Sequence, residues 1–301
     1  MAIHWFPGHM HKARKEIAKI MPDIDLVLEV LDARLPISSE NPLVNELRNN
    51  KPVIKLLNKF DLADPDRTLE WAAHLSHDDV QALPFSSASK SEVQRLVQLC
   101  KKIAPNRVVA ERPVRVIIMG IPNVGKSTLI NALLGRKIAK VGNEPAVTKH
   151  QKRFITNNGL AIYDTPGILW PKIVDPDSTF RLACSGAIKD TVMEYEEVAL
   201  YALAFLMNDY PELLLTRFKL SSMPESPEAV LDEVGRRRGC LRSGGIIDRH
   251  RAAEKLIGDI RSGKLGRLTF ETVAEWTHKA ELAEAARLLA LAEEEAGGSA
   301  E

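Results

Sequence analysis

Cysteine is scarce in this chain. Cys100, Cys184 and Cys240 are the only three among 301 residues, and no two form a Cys-x-x-Cys pair. This gives no support to a paired-thiolate zinc site or a disulfide framework, and it points to a reducing compartment. Aromatic residues make up only 5%. No apolar run approaches the roughly 20 residues that a membrane span needs. The stretch MAIHWFPGHMHKARKE lacks the apolar segment and small-residue cleavage site of a signal peptide. The chain therefore reads as a cytoplasmic monomer with no membrane partner. Charge of one sign is also missing overall, the net charge being +1.

The near-neutral total hides an uneven distribution. Residues 236–267 hold ten Lys/Arg and three Asp/Glu, a balance of +7, whereas residues 271–301 hold eight acids and two bases, a balance of −6. A basic block of that density can meet a phosphate backbone; a solvated basic helix face is the alternative.

Strand patterns end in polar loops at Asp25–Pro36, Lys51–Leu62 and Asp78–Ser89. Lys12–Ile20 reads as a basic amphipathic helix after a Pro-Gly turn. Ser91–Ile103 reads as a helix with apolar positions 93, 96, 97, 99 and 103, and Pro105–Pro113 as a linker. Arg153–Gly167 reads as a hairpin turning at Asn-Asn-Gly. Alternating strands and helices predict an α/β domain with a mostly parallel sheet. From about residue 180 the spacing is helical throughout. The division predicted is an α/β domain over 1–175 and an all-α domain over 176–301.

Gly120-x4-Gly125-Lys126-Ser127 fits the phosphate-binding loop, and it stands between a predicted strand and a predicted helix. Glycines there let backbone N–H groups close on phosphate oxygens at a helix N-terminus. Asn123, Val124, Gly125, Lys126, Ser127 and Thr128 are the candidate phosphate ligands. Lys126 would neutralise the β- and γ-oxygens, and the Ser127 hydroxyl would ligate Mg²⁺. Downstream, Asp164-Thr165-Pro166-Gly167 supplies a carboxylate for the Mg²⁺ shell and the Gly167 N–H for the γ-phosphate. Thr148, between the two motifs, is placed to fold over the nucleotide with its hydroxyl on Mg²⁺.

The tetrapeptide Asn58-Lys59-Phe60-Asp61 reads as a guanine reader. The Asp61 carboxylate accepts from the guanine N1–H and exocyclic amine, a donor pair that adenine lacks. Asn58 faces the N7 side, and the Lys59 stem covers the ring. Ser86-Ser87-Ala88-Ser89 follows after one more strand, where Ser87 and the Ala88 N–H reach the base oxygen. In the usual chain order the phosphate loop comes first; here the base reader precedes it. Asp32-Ala33-Arg34 closes a strand before the Asn58 strand. Joining the usual ends and cutting after the Asp164 segment reproduces this order. The prediction is one guanine pocket on a circularly permuted domain, a rearrangement that surface termini tolerate.

With these motifs in place, the chain resembles the YlqF/RbgA family of circularly permuted GTPases that assemble the bacterial large ribosomal subunit. The likeness rests on WFPGHMHKARKEI, DARLP, NKFDL, GIPNVGKSTLIN, YDTPGILWPK, LACSGAIKD and the basic block from Arg238. It implies GTP and GDP as ligands, Mg²⁺ as cofactor, slow hydrolysis stimulated by the subunit, and rRNA contact through the helical domain. One departure is Ala146, where the family commonly has Gly before its threonine.

Many GTPases orient the attacking water with a glutamine after Asp-x-x-Gly. Here that position is Ile168. Two substitutes follow from the resemblance. Asn123 can hold K⁺ beside the phosphates, or simply tolerate a turn conformation. His9 can swing in to position water, or serve the loop or an RNA contact. Two other functions stay open: an RNA-binding chaperone with a regulatory nucleotide site, and a permuted GTPase of the small-subunit class. The latter resembles chains with an N-terminal barrel and a Cys/His zinc site, neither of which the sequence provides.

Overall fold

The computed structural model describes residues 7–109, 111–136, 152–165, 175–188 and 190–298. Its centre is a six-stranded sheet: β1 (Leu26–Asp32), β2 (Val53–Asn58), β3 (Val80–Pro84), β4 (Val114–Met119), β5 (Lys152–Ile155) and β6 (Leu160–Asp164). The spatial order is β3-β2-β1-β4-β6-β5. All pairings are parallel except β5 with β6. β5 and β6 form the expected hairpin, with Gly159 at φ +86° in its turn.

The helices of the α/β part are α1 (Pro7–Ile20), α2 (Pro42–Leu47), α3 (Pro65–His74), α4 (Lys90–Ile103), α5 (Pro105–Val109) and α6 (Lys126–Leu134). After the sheet come α7 (Pro176–Ser185), α8 (Tyr195–Asp209), α9 (Pro211–Phe218), α10 (Pro227–Arg237), α11 (Arg249–Arg261) and α12 (Val273–Gly298). Helix starts follow capping chemistry. Asp64 accepts from the amides of Asp66 and Arg67, Asp175 from Ser178, and Ser226 from Ala229.

β1 is buried along its whole length, as a central parallel strand must be. Its alternate residues serve two layers. Leu26, Leu28 and Val30 join the cluster that includes α4 and α6, while Val27 joins Ile17, Val44 and Met119 under α1 and α2. The first cluster runs without a break from Leu28 and Ile118 through Leu129 and Leu182 to Leu203 and Leu256. The C-terminal helices thus share one apolar core with the sheet. Among the described residues no single helix is long and apolar enough to cross a membrane. The apolar pair α8 and α9 is bent by 111°, and Leu203, Leu206 and Leu214 are buried in that core.

Two sequence expectations shift. The first helix starts at Pro7, because proline fits the first helical position where no N–H is needed, so Pro-Gly opens the helix. The same preference turns the expected linker after Ala104 into α5, which starts at Pro105. In α4 the expected apolar positions face the core: Val93, Leu96 and Val97 are buried, Leu99 and Ile103 pack partly buried against it, and Cys100 adds its thiol as a small apolar group. Cys100, Cys184 and Cys240 are all buried and free.

Candidate nucleotide site

Every site motif stands at the C-terminal end of a strand in the parallel part of the sheet. β4 leads to the glycine loop, β6 to Asp164, β1 to Asp32, β2 to Asn58 and β3 to Ser86. That edge is where ligands bind in open α/β sheets. β1 lies between β2 and β4, so the base motif and the phosphate loop flank a single strand.

The glycine loop is shaped for a ligand that comes close to backbone. Gly120 has φ +146°, and a Cβ there would lie 2.5 Å from the Val30 carbonyl oxygen. Gly125 has φ +103° and opens α6. Its added Cβ would lie 2.3 Å from Asn58 Nδ2. Only glycine satisfies both demands at once. Lys126 is buried, and its Nζ donates to the carbonyls of Gly120 at 2.9 Å and Ile121 at 2.6 Å. The ammonium is folded back onto its own loop. Burial pushes the Lys126 pKa down to about 8, against the pull of the nearby Asp164 carboxylate. Ser127 is half-buried and Thr128 exposed on the first turn of α6.

Asn58 ties the two halves together. Its Nδ2 donates to the Val124 carbonyl at 2.6 Å, and its Oδ1 accepts from the Ser87 N–H at 3.1 Å and Ser87 Oγ at 3.0 Å. Asp61 is exposed and accepts from Ser86 Oγ at 2.9 Å. Ala88 is exposed beside them. Lys59 takes a left-handed backbone conformation, φ +61°, and its Nζ reaches Asp32 Oδ2 at 2.8 Å. The structure thus brings Asn58, Lys59, Asp61, Ser87 and Ala88 to the same sheet edge as Val124–Thr128.

The role of Asp32 and Arg34 was not legible in the sequence, where Asp-Ala-Arg served only as a marker of strand order. Arg34 grips Asp32 with Nε to Oδ1 at 2.9 Å and Nη2 to Oδ2 at 2.7 Å, and both residues are fully buried. Burial acts against the charge on Asp32, but Arg34 and Lys59 hold it well below the usual carboxylate range. Asp32 therefore fixes where the Lys59 stem lies.

Asp164 is buried at the end of β6, and Thr165 Oγ1 donates to the Ile118 carbonyl at 2.7 Å. Asn123 has φ +60°, and its Nδ2 donates to the Gly186 carbonyl at 2.7 Å, linking the glycine loop to the end of α7. The Ser127 hydroxyl on the first turn of α6 and the Asp164 carboxylate at the end of β6 are oxygen donors, the type that a hard cation such as Mg²⁺ takes. Thr148, Gly167, Ile168 and Ala146 lie outside the described residues. His9 falls within α1, and its side chain lies outside them too.

A mostly parallel sheet with a glycine loop leading into α6, and a base motif on an earlier strand, defines a circularly permuted P-loop GTPase. A family model described as "50S ribosome-binding GTPase" matches residues 115–213, starting within β4 and leaving the NKFD half outside. The ribosome biogenesis GTPase A of Bacillus pumilus is 45% identical over 278 residues, covering 90% of this chain and 99% of that protein. The GDP-bound structure of TM YlqF matches with TM-score 0.62 and 27% identity, over 86% of this chain and 99% of that one. A GNP-bound YlqF from T. maritima matches with TM-score 0.60 and 28% identity, over 87% and 98%. The chain belongs to the ribosome biogenesis GTPase A family.

Proposed function

We propose that this protein binds and hydrolyses GTP as an assembly factor for the bacterial large ribosomal subunit. The observation that carries this reading is Asn58, which bonds the glycine loop and the Ser86–Ser89 loop at once. That junction supports reading the two distant motifs as one guanine-nucleotide pocket. The relatives named above supply the ribosomal setting.

In this reading Asp61 and Ala88 read the guanine, and Lys59 covers its face. Lys126 leaves its loop carbonyls for the β- and γ-phosphates. Ser127, Thr148 and Asp164 hold Mg²⁺, which neutralises phosphate charge when bound. Gly167 senses the γ-phosphate. With Ile168 in the usual glutamine position, His9 positions the water, and Asn123 helps to hold K⁺ beside the phosphates.

Residues 1–175 form the nucleotide-binding part and residues 176–301 the rRNA-binding part. Arg236 and Arg237 pair with Glu233, Arg242 with Asp248 and Arg249 with Asp232. Solvent screens pairs this near the surface, so a phosphate backbone can replace the carboxylates. Lys264 is exposed on the same block. Arg238 is instead held by Asp259 and stacks over Phe218, which gives it a structural task.

GTP turnover measured in K⁺ and in Na⁺, with and without large subunits, tests the proposal. Turnover should rise with subunits and in K⁺, and His9→Ala should lower the stimulated rate while leaving GTP affinity intact. Nucleotide and subunit binding without any stimulated turnover would favour a nucleotide-regulated RNA chaperone.

A further inference from the structure

One residue of the basic block is turned toward the nucleotide side. The Arg267 guanidinium donates from Nε to the Ala63 carbonyl at 2.7 Å and from Nη2 to the Phe60 carbonyl at 2.9 Å. It also lies 5.0 Å from the centroid of the Phe60 ring. Asp61 sits between the two carbonyls that this fork grips. The residues after Arg267 extend the attachment. The Leu268 N–H donates to the Leu62 carbonyl at 3.2 Å. Thr269 Oγ1 accepts from the Asp64 N–H at 3.2 Å and lies 3.2 Å from the Ala33 carbonyl. The Phe270 N–H donates to the Arg34 carbonyl at 2.7 Å. A segment just after α11 thus holds both the base-reading loop and the loop that anchors Lys59.

The loop has reason to need it. Lys59 is a non-glycine residue in the left-handed region, which persists only where surrounding contacts hold it. Asp61 is exposed, its carboxylate accepting one hydrogen bond, from Ser86 Oγ at 2.9 Å, among the described residues. A bidentate guanidinium is a rigid way to fix two carbonyls.

We infer that residues 267–270 brace the base-reading loop, with Arg267 as its positioning residue, and that this brace controls nucleotide release. The inference rests on the guanine reading of Asp61 given above. Guanine is common to GDP and GTP, so a brace on the base loop acts on both equally. It differs in this from loops that sense the γ-phosphate. Coupling is reciprocal: an RNA that draws the basic block away from the brace loosens both nucleotides by one factor. The C-terminal helices therefore act on exchange rather than on the chemical step.

The test compares wild type with Arg267→Gln and Arg267→Lys, using fluorescent GDP and a fluorescent non-hydrolysable GTP analogue. Arg267 is exposed, so neither change opens the core. In Arg267→Gln the dissociation rates of both nucleotides should rise by the same factor, about five-fold or more, the lower end of typical coupling. KM should rise while kcat at saturating GTP is unchanged, and Arg267→Lys should be intermediate. Asp61→Asn, assayed with guanosine and xanthosine diphosphates, is the control. A shift toward xanthosine in Asp61→Asn with unchanged release in Arg267→Gln overturns the brace and leaves the base site standing. No shift in Asp61→Asn overturns the base site itself. Faster release of the GTP analogue alone, or a fall in kcat with KM constant, also overturns the brace.

Discussion

The Asn58 amide occupies the space that a side chain on residue 125 would fill, 2.3 Å from an added Cβ. The glycine loop is therefore fitted to the base motif as well as to phosphate. The contact is internal to the protein, so it exists before a nucleotide arrives and pre-forms the angle between the two halves of the pocket.

Asn58→Ala should weaken both GTP and GDP by about 2 kcal/mol, roughly thirty-fold in Kd, because it leaves the Ser87 N–H without its acceptor and releases Val124. Equilibrium titration with both nucleotides measures this. An effect on GTP alone would mean that Asn58 acts through the γ-phosphate.

Lys126 gives a pH signature. In the free protein its pKa is pushed down to about 8, so at pH 9 most of the side chain is neutral. Triphosphate oxygens favour the ammonium. Binding at pH 9 should therefore take up close to one proton, and binding at pH 6.5 should take up none at this group. Calorimetry in buffers of different ionisation heat reads the difference directly.

The strand-order and motif readings were legible because each motif is contiguous and sits at a strand end. Asn58-Lys59-Phe60-Asp61, Gly120–Ser127 and Asp164-Thr165 were each read from the sequence next to a predicted strand, and each is found at a strand end. The Arg267 contact was not legible. Its partners are backbone carbonyls, which have no sequence signature, and they lie more than 200 positions away. A run of arginines reads as surface, and only the fold tells Arg267 from Arg242. The Asp32–Lys59 bond was hidden for a related reason: parallel pairing sets Asp32 beside Asn58, and strand register is not written in either strand alone.

Glu29 predicts a pH-dependent stability unrelated to the nucleotide. It lies in the middle of β1, fully buried. Oε1 accepts from the Asn41 N–H at 3.2 Å, and among the described residues Oε2 has no hydrogen-bond partner. Burial, and then the Glu40 carboxylate, push its pKa well above the usual value of 4.5. The folded state therefore binds this proton more tightly than the unfolded chain. Its contribution is complete below the unfolded pKa and is lost as pH rises through the folded one. Wild type should lose stability from pH 5 upward, and Glu29→Gln should flatten that slope. Denaturant midpoints between pH 5 and pH 8.5 decide it.

The brace also has a consequence for how the protein is made. Asp61 leaves a translating ribosome long before Arg267. At synthesis rates of about 5–20 residues per second, the interval is about 10–40 s. Strands β1 and β2 are made before that interval opens, β3 early in it, the glycine loop follows, and the brace comes last. A nascent chain thus carries an NKFD loop held by Asp32, Ser86 and Ser87 but not yet by Arg267. Tight guanine-nucleotide binding reports that translation has passed residue 270.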